Sequence, residues 1–189
     1  MPLIADDTPP WFPLETERLI LRDPRPEDFD DIHAYAERPE VVRYMAWGPN
    51  TPEMTRTVLD HWLEVAARWP RTEVSLVVED KRQGRVIGSI RLTIQDEANR
   101  TADFGYTYHP DAWGQGIGTE AARAVLGAAF GPLGLHRVWA TCDVENHGSW
   151  GIMEKLGMRR EGTFIKHLKP RGQWRDTHFY ALLAEEWGR

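Results

Sequence analysis

The chain has 189 residues, 41% of them hydrophobic, which is enough for one domain with a buried core. Its 23 basic and 29 acidic residues give a formal charge of −6, which argues against nucleic acid as a partner because phosphate contacts need clustered Lys and Arg. The single cysteine, Cys142, excludes an internal disulfide, the opening MPLIADDTPPWFP has neither the basic nor the apolar region of a secretory leader, and no apolar run reaches the ~20 residues that span a bilayer. A cytoplasmic protein with no membrane association is expected.

Residues 1–14 read as a Pro-rich lead-in segment and 15–189 as a single domain. RLILRD at 18–23 alternates as a strand, and the prolines at 24 and 26 open a helix with Phe29, Ile32 and Ala36 on one face, ended by Pro39. Thr51 as N-cap and Pro52 at the first helical position start a second helix, whose stripe is Met54, Val58, Trp62, Val65 and Trp69. After Pro70 the period changes. EVSLVVE (73–79), RVIGSIRLT (85–93) and TADFGYTY (101–108), separated by short polar turns, predict an antiparallel meander. A helix burying Ile117, Ala121, Ala124, Val125 and Ala128 follows, then a strand (136–142), a short helix (148–156) stopped by Gly157, and β character around GTFIKHL and HFYALL.

AWGQGIGTEA, at 112–121, places glycines at 114, 116 and 118 just before the third helix. A helix N-terminus offers unpaired amides and a partial positive charge, and glycines let an anion approach them; alternatively, the glycines serve a tight strand-to-helix turn. A dinucleotide fingerprint would need glycine where Thr119 stands, and a Walker loop would need a Lys that no glycine here precedes. Neither common nucleotide motif fits.

Four stretches, in order, resemble the GNAT superfamily of N-acetyltransferases, and within it the RimJ/RimL-type branch of ribosomal-protein N-terminal acetyltransferases. They are ETERLILR (15–22), ADFGYTYHPDAWGQGIGTEA (102–121), ENHGSWGIMEKLGM (145–158) and GQWRDTHFYALLAEEW (172–187). The resemblance implies an α+β fold, with a V-shaped, mostly antiparallel sheet of six or seven strands flanked by about four helices. It also implies acetyl-CoA as cosubstrate, with the pantetheine arm in the gap between two splayed strands. The main chain around Thr107 and Tyr108 would pair with pantetheine, and the amides of Gly114, Gln115, Gly116, Ile117, Gly118 and Thr119 would wrap the pyrophosphate. Asn146 and Ser149 would face the same arm. Two positions depart from the family: Trp113 replaces a polar or basic residue, and Met153 stands where many relatives carry the tyrosine that protonates the leaving thiolate.

Acetyl transfer to an amine needs a neutral nucleophile, an oxyanion site and a proton for the thiolate. The resemblance places the acetyl carbonyl oxygen on a main-chain amide near Tyr108. Asp103 is the candidate base, with a structural partnership to an arginine as the other role; water relayed to Asp103 or Glu79 is a further route. Ser149 is the candidate acid, a residue type that also starts helices. Cys142, within a β run, reads as a small buried hydrophobe. Trp47, in the WGPN loop, is the candidate acceptor-side wall or else a hydrophobic plug, and Trp174 and Asp176 fix the closing hairpin. No histidine spacing suits a metal. The expected activity is direct N-acetyl transfer to a primary amine, a protein N-terminus first and then an amine-bearing small molecule (a polyamine, amino acid or aminoglycoside-like compound), by a monomer or homodimer. The alternative is an acyl-CoA-binding sensor of the same fold without catalysis.

Overall fold

A computed structural model describes residues 12–188; positions 1–11 of the expected lead-in lie outside the described residues. The elements run β1 (Leu14–Glu15), β2 (Leu19–Arg22), α1 (Phe29–Ala36), α2 (Pro39–Val42), α3 (Pro52–Ala66), β3 (Glu73–Asp80), β4 (Arg85–Asp96), β5 (Thr101–Tyr108), α4 (Ile117–Phe130), β6 (Arg137–Asp143), α5 (His147–Lys155), β7 (Arg159–Leu168) and β8 (Arg175–Leu183). The described residues thus hold eight strands and five α-helices, where six or seven strands and about four helices were expected. The extra strand is the two-residue β1, too short to show a period. The extra helix is the single turn α2: Pro39, expected only to end a helix, also starts the next, since its fixed φ suits a first helical position.

The strands form one sheet in the order β1-β2-β3-β4-β5-β6-β8-β7. Every neighbouring pair is antiparallel except β5 and β6, and β3, β4 and β5 form the expected meander. The parallel pair is brief. Thr101, Ala102 and Asp103 match Arg137, Val138 and Trp139, and beyond them the two strands no longer pair. The V-shaped opening is therefore a consequence of where this ladder stops.

Both faces of the sheet are covered. Small residues of α4, including Ala121, Ala122 and Val125, let it lie close against Ile90, Ala102 and Phe104, while Ile32, Tyr35 and Leu59 from α1 and α3 bury Val77 and Val86 elsewhere in the fold. On α3 the buried stripe is Thr55, Leu59 and Val65, one position away from the expected Met54 and Val58; Met54 is exposed. A polar residue takes the core position because the Thr55 hydroxyl is 2.9 Å from His33 Nδ1 on α1. Thr51 caps α3 as expected, its side chain accepting from the Met54 amide at 3.3 Å. No helix among the described residues is long and apolar enough to cross a membrane.

Candidate active site

Two clefts open along the split between β5 and β6, of about 610 and 630 Å³. The first lies between the sheet and α1, α3 and the β7–β8 hairpin; the second runs past the turn before α4 and along α5. Tyr44, Met45, Tyr106, Thr107, Asn146 and Ser149 line both, so the clefts meet at the point of divergence.

The second cleft is built by the glycine turn. Gly114 and Gly116 have φ of +71° and +77°, which side-chain-bearing residues rarely adopt, and Gly116 is the N-cap of α4. Gly118 has a different reason. A Cβ there would lie 2.6 Å from Ile152 Cδ1 and 3.1 Å from Tyr108 Cε2, so its absence lets α4 pack on α5 and β5. The turn motive and the close-approach motive both apply, at different glycines. Ile117, Gly118 and Thr119 lie in the first helical turn, where amides have no intrahelical acceptor, and no protein group among the described residues accepts from the amides of Gly114, Gln115 or Gly116 either. Side chains at two expected positions point elsewhere: Ile117 is buried in the core, and Gln115 donates to the Asp111 carbonyl. Only their main chain is available to a ligand.

The turn is braced by residues that the sequence did not single out. Glu120 accepts from the Thr16 hydroxyl at 2.6 Å, the Arg18 amide at 3.0 Å and Arg18 Nε at 2.6 Å, and Arg18 Nη1 donates to the Gln115 carbonyl at 3.0 Å. Burial opposes ionisation of Glu120, but these donors outweigh it and hold the carboxyl below its ordinary range. A depressed carboxylate contributes stability above its unfolded pKa, near ~4.3, that is lost as pH falls through the lower folded value. Glu120→Gln is accordingly expected to lower Tm at pH 7, with the difference shrinking as pH falls below ~4.3 and vanishing only once it has passed the lower folded value. Parallel Tm curves across this range would contradict it.

A CoA-like ligand fits this cleft by three observations: free amides at a helix N-terminus, glycines that keep Cβ atoms off them, and a buried Tyr108 hydroxyl with no partner. Tyr108 borders the cleft, and its carbonyl accepts from Trp113 Nε1 at 3.0 Å. Trp113 lines the second cleft, and its indole N–H is spent on the strand.

At the junction, Asn146 is the N-cap of α5, its Oδ1 accepting from the Ser149 amide at 3.2 Å. Ser149 is therefore not the cap. Its hydroxyl is 3.2 Å from the Tyr106 hydroxyl, whose proton goes to the Ser149 carbonyl at 2.8 Å, so Ser149 Oγ–H is the donor between the two hydroxyls. Burial drives the Tyr106 phenol well above its ordinary pKa, so it stays protonated. Cys142 lines the first cleft, and burial pushes its thiol up to about 12 despite a hydrogen bond with Ser149, which leaves it inert as a nucleophile. Met153 is fully buried beneath the junction.

Asp103 sits at the closed end of the V, 7% exposed and outside the lining of either cleft. One oxygen accepts from Arg91 Nη2 at 2.7 Å and the other from Gln95. Glu79 is likewise engaged, by Arg22 Nε at 2.8 Å. Trp47 does line the first cleft, and Asp176 accepts from the Lys166 amide at 2.8 Å across the closing hairpin. Among the described residues no group of three or more His, Cys, Asp or Glu could hold a metal.

Comparison with known proteins gives this geometry a name. Residues 18–159 match the acetyltransferase (GNAT) domain. The uncharacterized N-acetyltransferase YnaD of Bacillus subtilis (strain 168) is 31% identical over 175 residues, 92% of this chain and 98% of that protein. The spermidine N(1)-acetyltransferase of Escherichia coli (strain K12) is 28% identical over 151 residues, 80% of this chain and 78% of that one. A GNAT-family acetyltransferase structure from Bacillus anthracis superposes with a TM-score of 0.81 at 31% identity, covering 91% of this chain and 98% of the other. With the split sheet and the glycine turn in place, the chain belongs to the GNAT acetyltransferases, which are acetyl-CoA-dependent acyltransferases.

Proposed function

We propose that the chain transfers the acetyl group of acetyl-CoA directly to a primary amine, with the cosubstrate in the cleft beside α4 and α5 and the acceptor in the cleft beneath α1 and α3. The meeting of the two clefts at Tyr106, Thr107, Asn146 and Ser149 is the observation that carries this reading. The bound thioester supplies the activated acyl group. The amides of Gly114 through Thr119 hold its diphosphate, and the β5 edge from Gly105 to Tyr108, free of β6, receives the pantetheine arm and the acyl oxygen.

Ser149 Oγ–H turns from the Tyr106 oxygen to donate a hydrogen bond to the departing sulfur, and the Tyr106 hydroxyl, anchored on the Ser149 carbonyl, keeps it close. A hydroxyl donor near the thiolate is thus kept although position 153 is methionine, which favours a catalyst over a sensor. Among the described residues the one carboxylate lining the acceptor cleft, Asp143, is paired with Arg175, and Asp103 is bound on both oxygens. Those pairings support a bracing role for Asp103 and water as acceptor of the amine proton. An α-amino group, with a pKa near ~8, is about a tenth neutral at pH 7 and needs no stronger base.

The test is release of free CoA thiol from acetyl-CoA on adding a panel of primary amines. Binding of acetyl-CoA without amine-dependent thiol release would favour the sensor instead. Gly116→Val is expected to weaken acetyl-CoA binding at least about 10-fold, because a β-branched side chain both resists φ of +77° and stands over the amides. Space within the protein is not the obstacle: a Cβ there would meet only Arg18 Nη2, at 3.6 Å. Unchanged affinity by calorimetry would refute the cradle.

A further inference from the structure

The acceptor cleft also constrains what kind of amine it receives, on the premise of the transfer reading above. Its walls are mostly aromatic and aliphatic, with Tyr35, Tyr44, Trp47, Trp62 and Leu168 among them, interrupted by neutral polar side chains such as Asn50, Ser75 and Thr141. Its charged lining is Arg91, Arg175 and Asp143. Asp143 gives both oxygens to Arg175, at 2.7 and 2.8 Å, and Arg175 also pairs with Glu145 at 2.7 Å. Arg91 commits only Nη2, to Asp103, and its side chain is 47% exposed. The described lining therefore offers aromatic surface and a guanidinium with donors to spare, but no uncommitted carboxylate.

The aromatic wall is also held in place. Arg171, at the tip of the β7–β8 hairpin, donates to the carbonyls of Val42 at 2.9 Å, Arg43 at 2.6 Å and Gly48 at 3.3 Å. Its charge is thus spent on the C-terminal end of α2 and the loop that carries Trp47, which complements the negative end of that turn. The hairpin and the loop are tied across the cleft mouth, with Leu168 and Pro170 on one side and Trp47 on the other. Every additional ammonium of a polyamine would give up part of its water in such a cleft, near two arginines, with no carboxylate released to meet it. A single amine on an apolar body meets no such penalty and covers the aromatic surface.

We infer that the acceptor is a primary monoamine joined to an apolar body of aromatic size, and not a polyamine. The experiment compares 2-phenylethylamine with spermidine as acceptors for the full chain, reading CoA thiol release at saturating acetyl-CoA. The expected result is a kcat/KM at least 30-fold higher for 2-phenylethylamine. Trp47→Ala and Arg171→Ala should each raise its KM about 10-fold while changing kcat less than threefold.

Equal or better use of spermidine overturns the inference, as does an unchanged KM for 2-phenylethylamine in both variants. Thiol release with spermidine alone refutes the acceptor class but leaves transfer standing. Absence of thiol release with either amine and with a primary-amine peptide, in a protein that binds acetyl-CoA, refutes transfer and this inference together.

Discussion

Gly88→Ala is expected to lower Tm by about 6–12 °C, corresponding to roughly 3 kcal/mol at the 2–4 °C per kcal/mol usual for a chain of this size. Gly88 lies on β4 opposite Tyr108, next to the bulge at which Val78 pairs with Gly88 and Glu79 with Val86. A Cβ at this position would stand 2.4 Å from Tyr108 Cδ1 and 2.5 Å from the Thr107 carbonyl oxygen. The second neighbour is backbone, so no rotamer change relieves the clash; β5 must move away from β4 at two residues that border the second cleft. Affinity for acetyl-CoA should fall along with stability. Gly105→Ala is the internal control, because a Cβ there meets nothing within 4 Å and its φ is unexceptional. Thermal melts separate the two: Gly105→Ala within about 2 °C of wild type and Gly88→Ala far below it. Similar melts for both would mean the crowding is relieved at no cost.

The second large effect concerns the hydroxyl pair at the junction. A hydrogen bond to a charged group contributes roughly 1.5–3 kcal/mol, and each tenfold in rate is 1.36 kcal/mol, so Ser149→Ala should reduce kcat by about 10- to 150-fold. Tyr106→Phe should reduce it by a comparable or smaller factor, since the ring stays and only the hydroxyl 3.2 Å from Ser149 Oγ is lost. The deciding measurement is the double variant. If Tyr106 acts through Ser149, the pair together is no slower than Ser149→Ala alone, and the KM for acetyl-CoA changes less than threefold in all three. Losses that multiply would give Tyr106 an independent part in the reaction. An unchanged kcat in Ser149→Ala would remove the pair from catalysis.

The features legible in the sequence were those decided within a few residues. Thr51-Pro52 announces α3, Gly157 with φ of +82° follows the end of α5, and the glycine turn is visible because backbone conformation and helix start are both local matters. Partnerships across strands were not visible. For Asp103 the sequence left two roles open, base or partner of an arginine, and the choice lay with Arg91 on the neighbouring strand and Gln95 next to the β4 bulge, where Ile94 pairs with Ala102 and Asp96 with Thr101. Tyr106 and Ser149 are separated by 43 positions and meet only because β5 and β6 part. The brace of Thr16, Arg18 and Glu120 spans more than 100 positions, and a polar Thr55 in the helical core followed from His33 on another helix. Eight strands rather than six or seven came down to edge segments such as β1, whose two residues carry no alternation to count.

The early end of the β5–β6 ladder at Asp103 and Trp139 has a consequence for mutational surveys. A strand edge presents the same amide and carbonyl array whatever side chains it bears, and recognition written in that array is silent to alanine scanning. Exchanges at Gly105 or Thr107 that keep the strand extended should leave pantetheine affinity little altered. Replacing a single peptide link by an ester would expose it.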